Sequence, residues 1–135
     1  LTNLQNLYLN GNQITEISGL DNSSNLKCLH LEENQITEIS GLDNLTKLQW
    51  LRLNKNQIQE IKGLDNLINL SKLDLCDNQI TEIEIPGLDN LTNLRSLSIM
   101  SNPIIKTDQI DKLKYQLLKL KLRSIDVTMS INFKI

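Results

Sequence analysis

Three side chains at alternate positions, Cys28, His30 and Glu32, place the chain's only histidine beside a thiol and a carboxylate. On an extended strand, alternate residues project to one side at steps of about 7 Å. Two chemistries fit such a set. In one, His30 acts as a base for Cys28, or for Ser98 if folding brings that hydroxyl near. In the other, all three side chains ligate a metal. The first lacks a group to orient the imidazole and donors to hold an oxyanion; the second lacks a fourth ligand. Glu16, Glu38, Glu60 and Glu82 recur at one fixed interval, but no further oxygen ligands follow them at a loop-like spacing. They read as a solvated outer column. With no glycine-rich phosphate loop either, the sequence predicts no catalytic residue, no metal and no cofactor.

What positions these side chains is a nine-residue frame, seen most plainly in LQWLRLNKN from Leu48 to Asn56. Leucines hold its first, fourth and sixth places, with Ile99 at the sixth place of the last copy, and asparagine holds the ninth. The closing asparagines are Asn12, Asn34, Asn56, Asn78 and Asn102, so the period is 22 residues and lengthens to 24 in the final interval. A fixed period of this size marks a solenoid, in which no unit can bury its apolar face alone. The apolar alternation at the fourth and sixth places (Leu7/Leu9, Leu29/Leu31, Leu51/Leu53, Leu73/Leu75, Leu97/Ile99) predicts one short strand per unit, paired in parallel with the next. The ninth-place asparagine is expected to satisfy backbone groups of neighbouring turns.

The frame resembles the leucine-rich repeat signature L-x-x-L-x-L-x-x-N over Leu1 to Asn102. The remainder of each unit, NQITEISGLDN from Asn34 and NQIQEIKGLDN from Asn56, is similar to the 22-residue subclass of the phosphatase-1 regulatory subunit and the bacterial internalins. The resemblance implies an α/β solenoid, with a curved parallel sheet on the concave face, short helices on the convex face and a helical C-terminal cap. It also implies a protein ligand on the concave face. The third, fifth and seventh places point there, and they carry Trp50 and Lys72; Tyr8, His30, Arg52 and Asp74; and Glu32 and Met100. Trp, Tyr and Arg dominate binding energy at interfaces. Tyr8, His30, Trp50, Arg52 and Asp74 are therefore the expected central contacts, with Glu32, Lys72 and Met100 around them. The plainer reading is that Trp50 stacks on Arg52 and only stabilises the sheet by about 0.5–1 kcal/mol. Arg52 and Asp74, on adjacent strands, are expected to pair.

Between frames, isoleucines such as Ile36/Ile39 and Ile58/Ile61 return to the core, and Gly19, Gly41, Gly63 and Gly87 mark a bend. The stretch from Leu42 to Leu45 and its equivalents suit a one- or two-turn helix, with Asp21, Asp43, Asp65 and Asp89 near its N-terminus. Ser23-Ser24-Asn25 thins this layer in the second unit, and Glu84-Ile85-Pro86 adds a small bulge in the fourth. The repeats are assigned to residues 1–106 and the cap to 107–135, where Ile110, Leu113, Leu117 and Leu120 trace one helical face. The cap resembles that of intracellular leucine-rich repeat proteins. It lacks their proline before the closing strand, and Tyr115 lies nearer the Ile125-Asp126 pair than their pattern places it. From Ile125 to Ile135 polar and apolar residues alternate as in a strand. Packing on the cap is the first choice for it, ahead of pairing with a second chain or staying unpaired.

The 135 residues suffice for one domain, and their net charge of −2 divides into an acidic repeat region and a basic end. The lysines of that end lie in the helical pattern as its solvated face, so no nucleic-acid partner is expected. No apolar run reaches bilayer length and no signal-peptide succession is present, so no membrane partner is expected. The chain begins inside a repeat, which leaves the N-terminal coil as a second route to self-association. Cys28 and Cys76 lie two repeats apart, beyond disulfide reach, so both are expected as free thiols in a reducing compartment. The combined expectation is a non-catalytic scaffold of the cytoplasm, or of the nucleus, that binds a protein. The alternatives are an internalin-like surface adhesion module and a structural segment of a larger GTPase- or phosphatase-associated protein.

Overall fold

The computed structural model describes residues 2–82 and 85–104, together with Asp111 and Tyr115. Apart from Asp111 and Tyr115, the expected cap helix, closing strand and tail lie outside the described residues.

Five three-residue strands, β1 (Asn6–Tyr8), β2 (Cys28–His30), β3 (Trp50–Arg52), β4 (Lys72–Asp74) and β5 (Ser96–Ser98), form one parallel sheet in chain order. The register follows the repeat: Leu7 pairs with Leu29, Leu29 with Leu51, Leu51 with Leu73, and Leu73 with Leu97. Backbone bonds extend the ladder past each strand, as from Leu31 N–H to the Arg52 carbonyl at 2.9 Å and from Leu53 N–H to the Asp74 carbonyl at 2.8 Å. The central leucines of β2 to β5 face inward and are buried with Leu53, Leu75 and the returning isoleucines from Ile17 to Ile80 in one continuous core. Leu4, Leu7, Leu9 and Ile14 of the first coil are only partly buried against it.

The expected helices of the outer layer do not form. Between Thr2 and Ile104 the described residues contain no α-helix; the outer path runs through consecutive tight turns, with Leu45 N–H bonded to the Leu42 carbonyl and Leu48 N–H to the Leu45 carbonyl, each at 2.9 Å. Such i→i+3 closures satisfy the local amides within a very short segment, where the nucleation cost of an α-helix would not be recovered. Asparagine side chains then tie each outer turn to the preceding coil: Asn44 and Asn66 donate to the carbonyls of Asp21 and Asp43, and Asn69 donates to Thr46. Ser23 keeps the same turn in the second unit, buried where Leu45 and Leu67 sit in the next two. The two-residue insertion in the fourth unit overlaps a short 3-10 helix, Ile85–Leu88.

Candidate functional site

The side chains that flank each buried strand leucine stand on the open face of the sheet. Tyr8 and Trp50 are 62% and 43% exposed there, against fully buried leucines at the centres of β2 and β3, which fixes which way the strands face. Register makes a row of Tyr8, His30, Arg52, Asp74 and Ser98 and a second row of Asn6, Cys28, Trp50, Lys72 and Ser96. The sheet thus gathers the side chains expected to bind, although they come from five different repeats.

Within the first row the Tyr8 and His30 rings meet edge to face, with centroids 4.8 Å apart. His30 Nδ1 lies 3.5 Å and Arg52 Nη1 3.9 Å from Glu32 Oε1. Glu32 is mostly buried between them, and its Oε2 is buried without a hydrogen-bond partner. The expected pair of Arg52 with Asp74 is not present among the described residues: Asp74 Oδ1 instead accepts the Cys76 N–H at 3.1 Å. Arg52 turns to the strand on its other side. Nor does Arg52 stack on Trp50. The cation over the indole is Lys72, whose Nζ lies 4.5 Å from the ring centroid. Directly paired residues on neighbouring strands are closer than residues two apart on one strand. Register could have shown this contact. Met100 is half-buried at the C-terminal side of this face.

The sheet does not bring Ser98 to His30. Ser98 ends a row in which Arg52 and Asp74 stand between it and His30, a separation of about 14 Å at ordinary strand spacing. Among the described residues no group of three His, Cys, Asp or Glu side chains is placed to hold a metal ion. On the return path, Lys62 bridges Glu38 at 3.5 Å and Glu60 at 3.4 Å, so the acidic column carries its own counter-ion.

A family model described as leucine-rich repeats (2 copies) matches residues 2–44, 46–85 and 68–115. The chain belongs to the leucine-rich repeat family. Among solved leucine-rich repeat structures, it is similar to an internalin (InlF) of Listeria monocytogenes, with 34% identity over 92% of this chain and a TM-score of 0.71. It is also similar to internalin C2 of the same organism, with 37% identity over 82% of this chain and a TM-score of 0.71. A leucine-rich repeat protein of Leptospira interrogans gives 31% identity over 84% of this chain and a TM-score of 0.76. The chain spans 35%, 48% and 29% of those three chains respectively, less than half of each. No curated protein sequence matches it significantly. Leucine-rich repeat domains are usually non-catalytic and generally bind proteins.

Both cysteines of this leucine-rich repeat chain are free, as expected. The Cys76 thiol is pushed up from 9.0 to about 11, chiefly by burial and further by Asp74 beside it. Unfolding returns the thiol to its ordinary value, so thiolate formation favours the unfolded chain. This contribution to stability is intact below pH 9.0 and lost as pH rises toward about 11. Alkylation at Cys76, followed by mass spectrometry, is expected to accelerate through pH 10, and Asp74→Asn to move its inflection down. An inflection at pH 9.0 would show an ordinary thiol.

Proposed function

We propose that this leucine-rich repeat chain is a non-catalytic protein-binding module whose partner lies along the open, concave face of the sheet. Tyr8, His30, Trp50, Arg52 and Asp74 are its central contacts, with Glu32, Lys72 and Met100 around them. The supporting observation is Trp50: the chain's only tryptophan is held 43% exposed on the face, where a stability role would place it in the core. A large, rigid, amphipathic side chain in that setting is the usual anchor of an interface. The experiment is to capture a partner from the native source with the wild-type chain and then measure its affinity for wild type, Trp50→Ala and Arg52→Ala by calorimetry. Trp50→Ala is expected to lose about 2 kcal/mol of binding, roughly 30-fold. The accompanying loss of stability is limited to the Lys72 contact, about 0.5–1 kcal/mol. Equal affinity for both chains removes Trp50 from the interface.

A second reading, an internalin-like surface adhesion module, is supported by the likeness to two Listeria internalins at 34% and 37% identity. The free thiols favour the cytoplasmic reading over it. Export of the full-length protein in its native host would decide for the surface module.

A further inference from the structure

Charge is divided around the cross-section of the solenoid. The return path carries Glu16, Glu38, Glu60 and Glu82, and the outer turns carry Asp21, Asp43, Asp65 and Asp89, with Lys62 on the return path and Lys47 in an outer turn as their cations among the described residues. On the sheet side three cations, Arg52, Lys72 and Arg95, gather around one side chain. Two shallow depressions share Trp50 and Lys72: one of about 210 Å³ also takes in Arg52, Asp74, Ser96 and Ser98, and the other, of about 420 Å³, takes in Gln49, Asn69, Asn93 and Arg95.

Most of these groups can donate to an anion. The Arg52 side chain is 55% exposed and has one distant contact, to Glu32 at 3.9 Å. Lys72 sits over the Trp50 ring, and neither Lys72 nor Arg95 makes an ion pair among the described residues. Three hydroxyls and three carboxamides fill the remaining rim, with Ser71, Asn69 and Asn93 each already donating once to a backbone carbonyl. The single carboxylate lining the depressions, Asp74, already accepts the Cys76 N–H.

We propose that the Trp50 end of the sheet face binds an acidic peptide segment of the partner, whose carboxylates are received by Arg52, Lys72 and Arg95 on either side of the indole. The proposal rests on the reading of this face as a protein-binding surface and adds the chemistry of what it binds. Acidic outer turns repel such a segment and the sheet side attracts it, so approach is steered to one face. A nucleic-acid strand fits less well. Its regularly spaced phosphates need an unbroken basic track, whereas here Asp74 and Glu32 interrupt the cations.

Because Trp50 is the only tryptophan, its emission reports occupancy directly. The probes are a decapeptide of alternating glutamate and serine, the lysine–serine equivalent and a ten-nucleotide thymidine strand, each titrated by fluorescence and by calorimetry. The glutamate peptide is expected to saturate the signal and to bind more weakly as salt is raised past about 0.1 M. Lys72→Gln and Arg95→Gln are each expected to weaken it about two- to fivefold, the range of an exposed ion pair. Lys62→Gln, on the return path, is expected to leave it unchanged. Arg95→Gln separates charge from any change in the ring's surroundings, since only Lys72 is stacked on the indole. No saturable binding of the glutamate peptide, an equal response to the lysine peptide, or tighter binding of the thymidine strand would each overturn the proposal. If a captured partner still loses affinity for Trp50→Ala in any of those cases, the protein-binding reading stands and only its acidic chemistry fails.

Discussion

Asn56→Ala is expected to destabilise the solenoid by about 3–5 kcal/mol, while Asn12→Ala, the same change one coil from the N-terminal end, costs less than about 1 kcal/mol. The two side chains occupy the same place in the frame, so what separates them is the neighbouring coil. Asn56 Oδ1 accepts the Ile36 N–H at 2.9 Å, and its Nδ2 donates to the carbonyls of Leu31 and Leu53 at 3.0 Å each. All three bonds are buried, and two of them cross to the preceding coil. Alanine leaves an amide and two carbonyls without partners in a space lined by leucine and isoleucine, each costing about 1–3 kcal/mol, with the carbonyls toward the lower end. Asn12, by contrast, is exposed and bonds only to the carbonyls of Leu9 and Asn10 in its own turn. Asn56→Asp keeps the acceptor but sets an oxygen against both carbonyls, so it should be no milder than alanine. Urea unfolding of the four chains measures this. A loss for Asn56→Ala no larger than that for Asn12→Ala would mean that water replaces the side chain and that the asparagine ladder does not bind the coils together.

That ladder, the strand register and the inward leucines were legible in the sequence because a repeat imposes the same environment at every copy. A residue type that recurs at Asn34, Asn56 and Asn78 answers a backbone need that recurs with it. The outer layer was not legible in this way. Leu42, Leu45 and Leu48 are three residues apart and all fully buried, a spacing shared by one face of a short helix and by two successive tight turns. The choice depends on where the amide groups find partners, and here they close i→i+3 while Asn44 and Asn66 reach across to the preceding coil. The open face failed differently. From the frame alone, Arg52 has a carboxylate on the strand to either side, Glu32 or Asp74. What decides is the capture of Asp74 Oδ1 by the Cys76 N–H, a bond within one strand end that no column of residue types displays. Likewise Trp50 meets Lys72 and not Arg52, because cross-strand pairing is shorter than spacing along a strand.

Gly63→Ala is expected to cost about 3 kcal/mol or more, and Gly19→Ala only about 1 kcal/mol, although both glycines are left-handed, with φ of 71° and 74°. The conformational strain of a Cβ is common to both, so their difference isolates how closely the coils stack. At Gly63 an added Cβ would overlap the Ile39 carbonyl oxygen of the preceding coil, whereas at Gly19 no atom comes within 4 Å. A backbone oxygen cannot swing aside as a side chain can. Relief requires the third coil to lift from the second, and that separation is already fixed by the parallel ladder and by Asn56. Gly87 supplies the complementary case: its Cβ would overlap the Ile61 carbonyl oxygen, but its backbone is outside the left-handed region. Gly87→Ala should therefore lie between the other two. In a stack stabilised by nearest-neighbour contacts, a strained middle interface weakens both halves, so Gly63→Ala should also broaden the unfolding transition as its two sides begin to melt separately. Equal stability of Gly63→Ala and Gly19→Ala in urea, with transitions of the same slope, would show that the coils yield at this point and that their close approach is not what requires glycine.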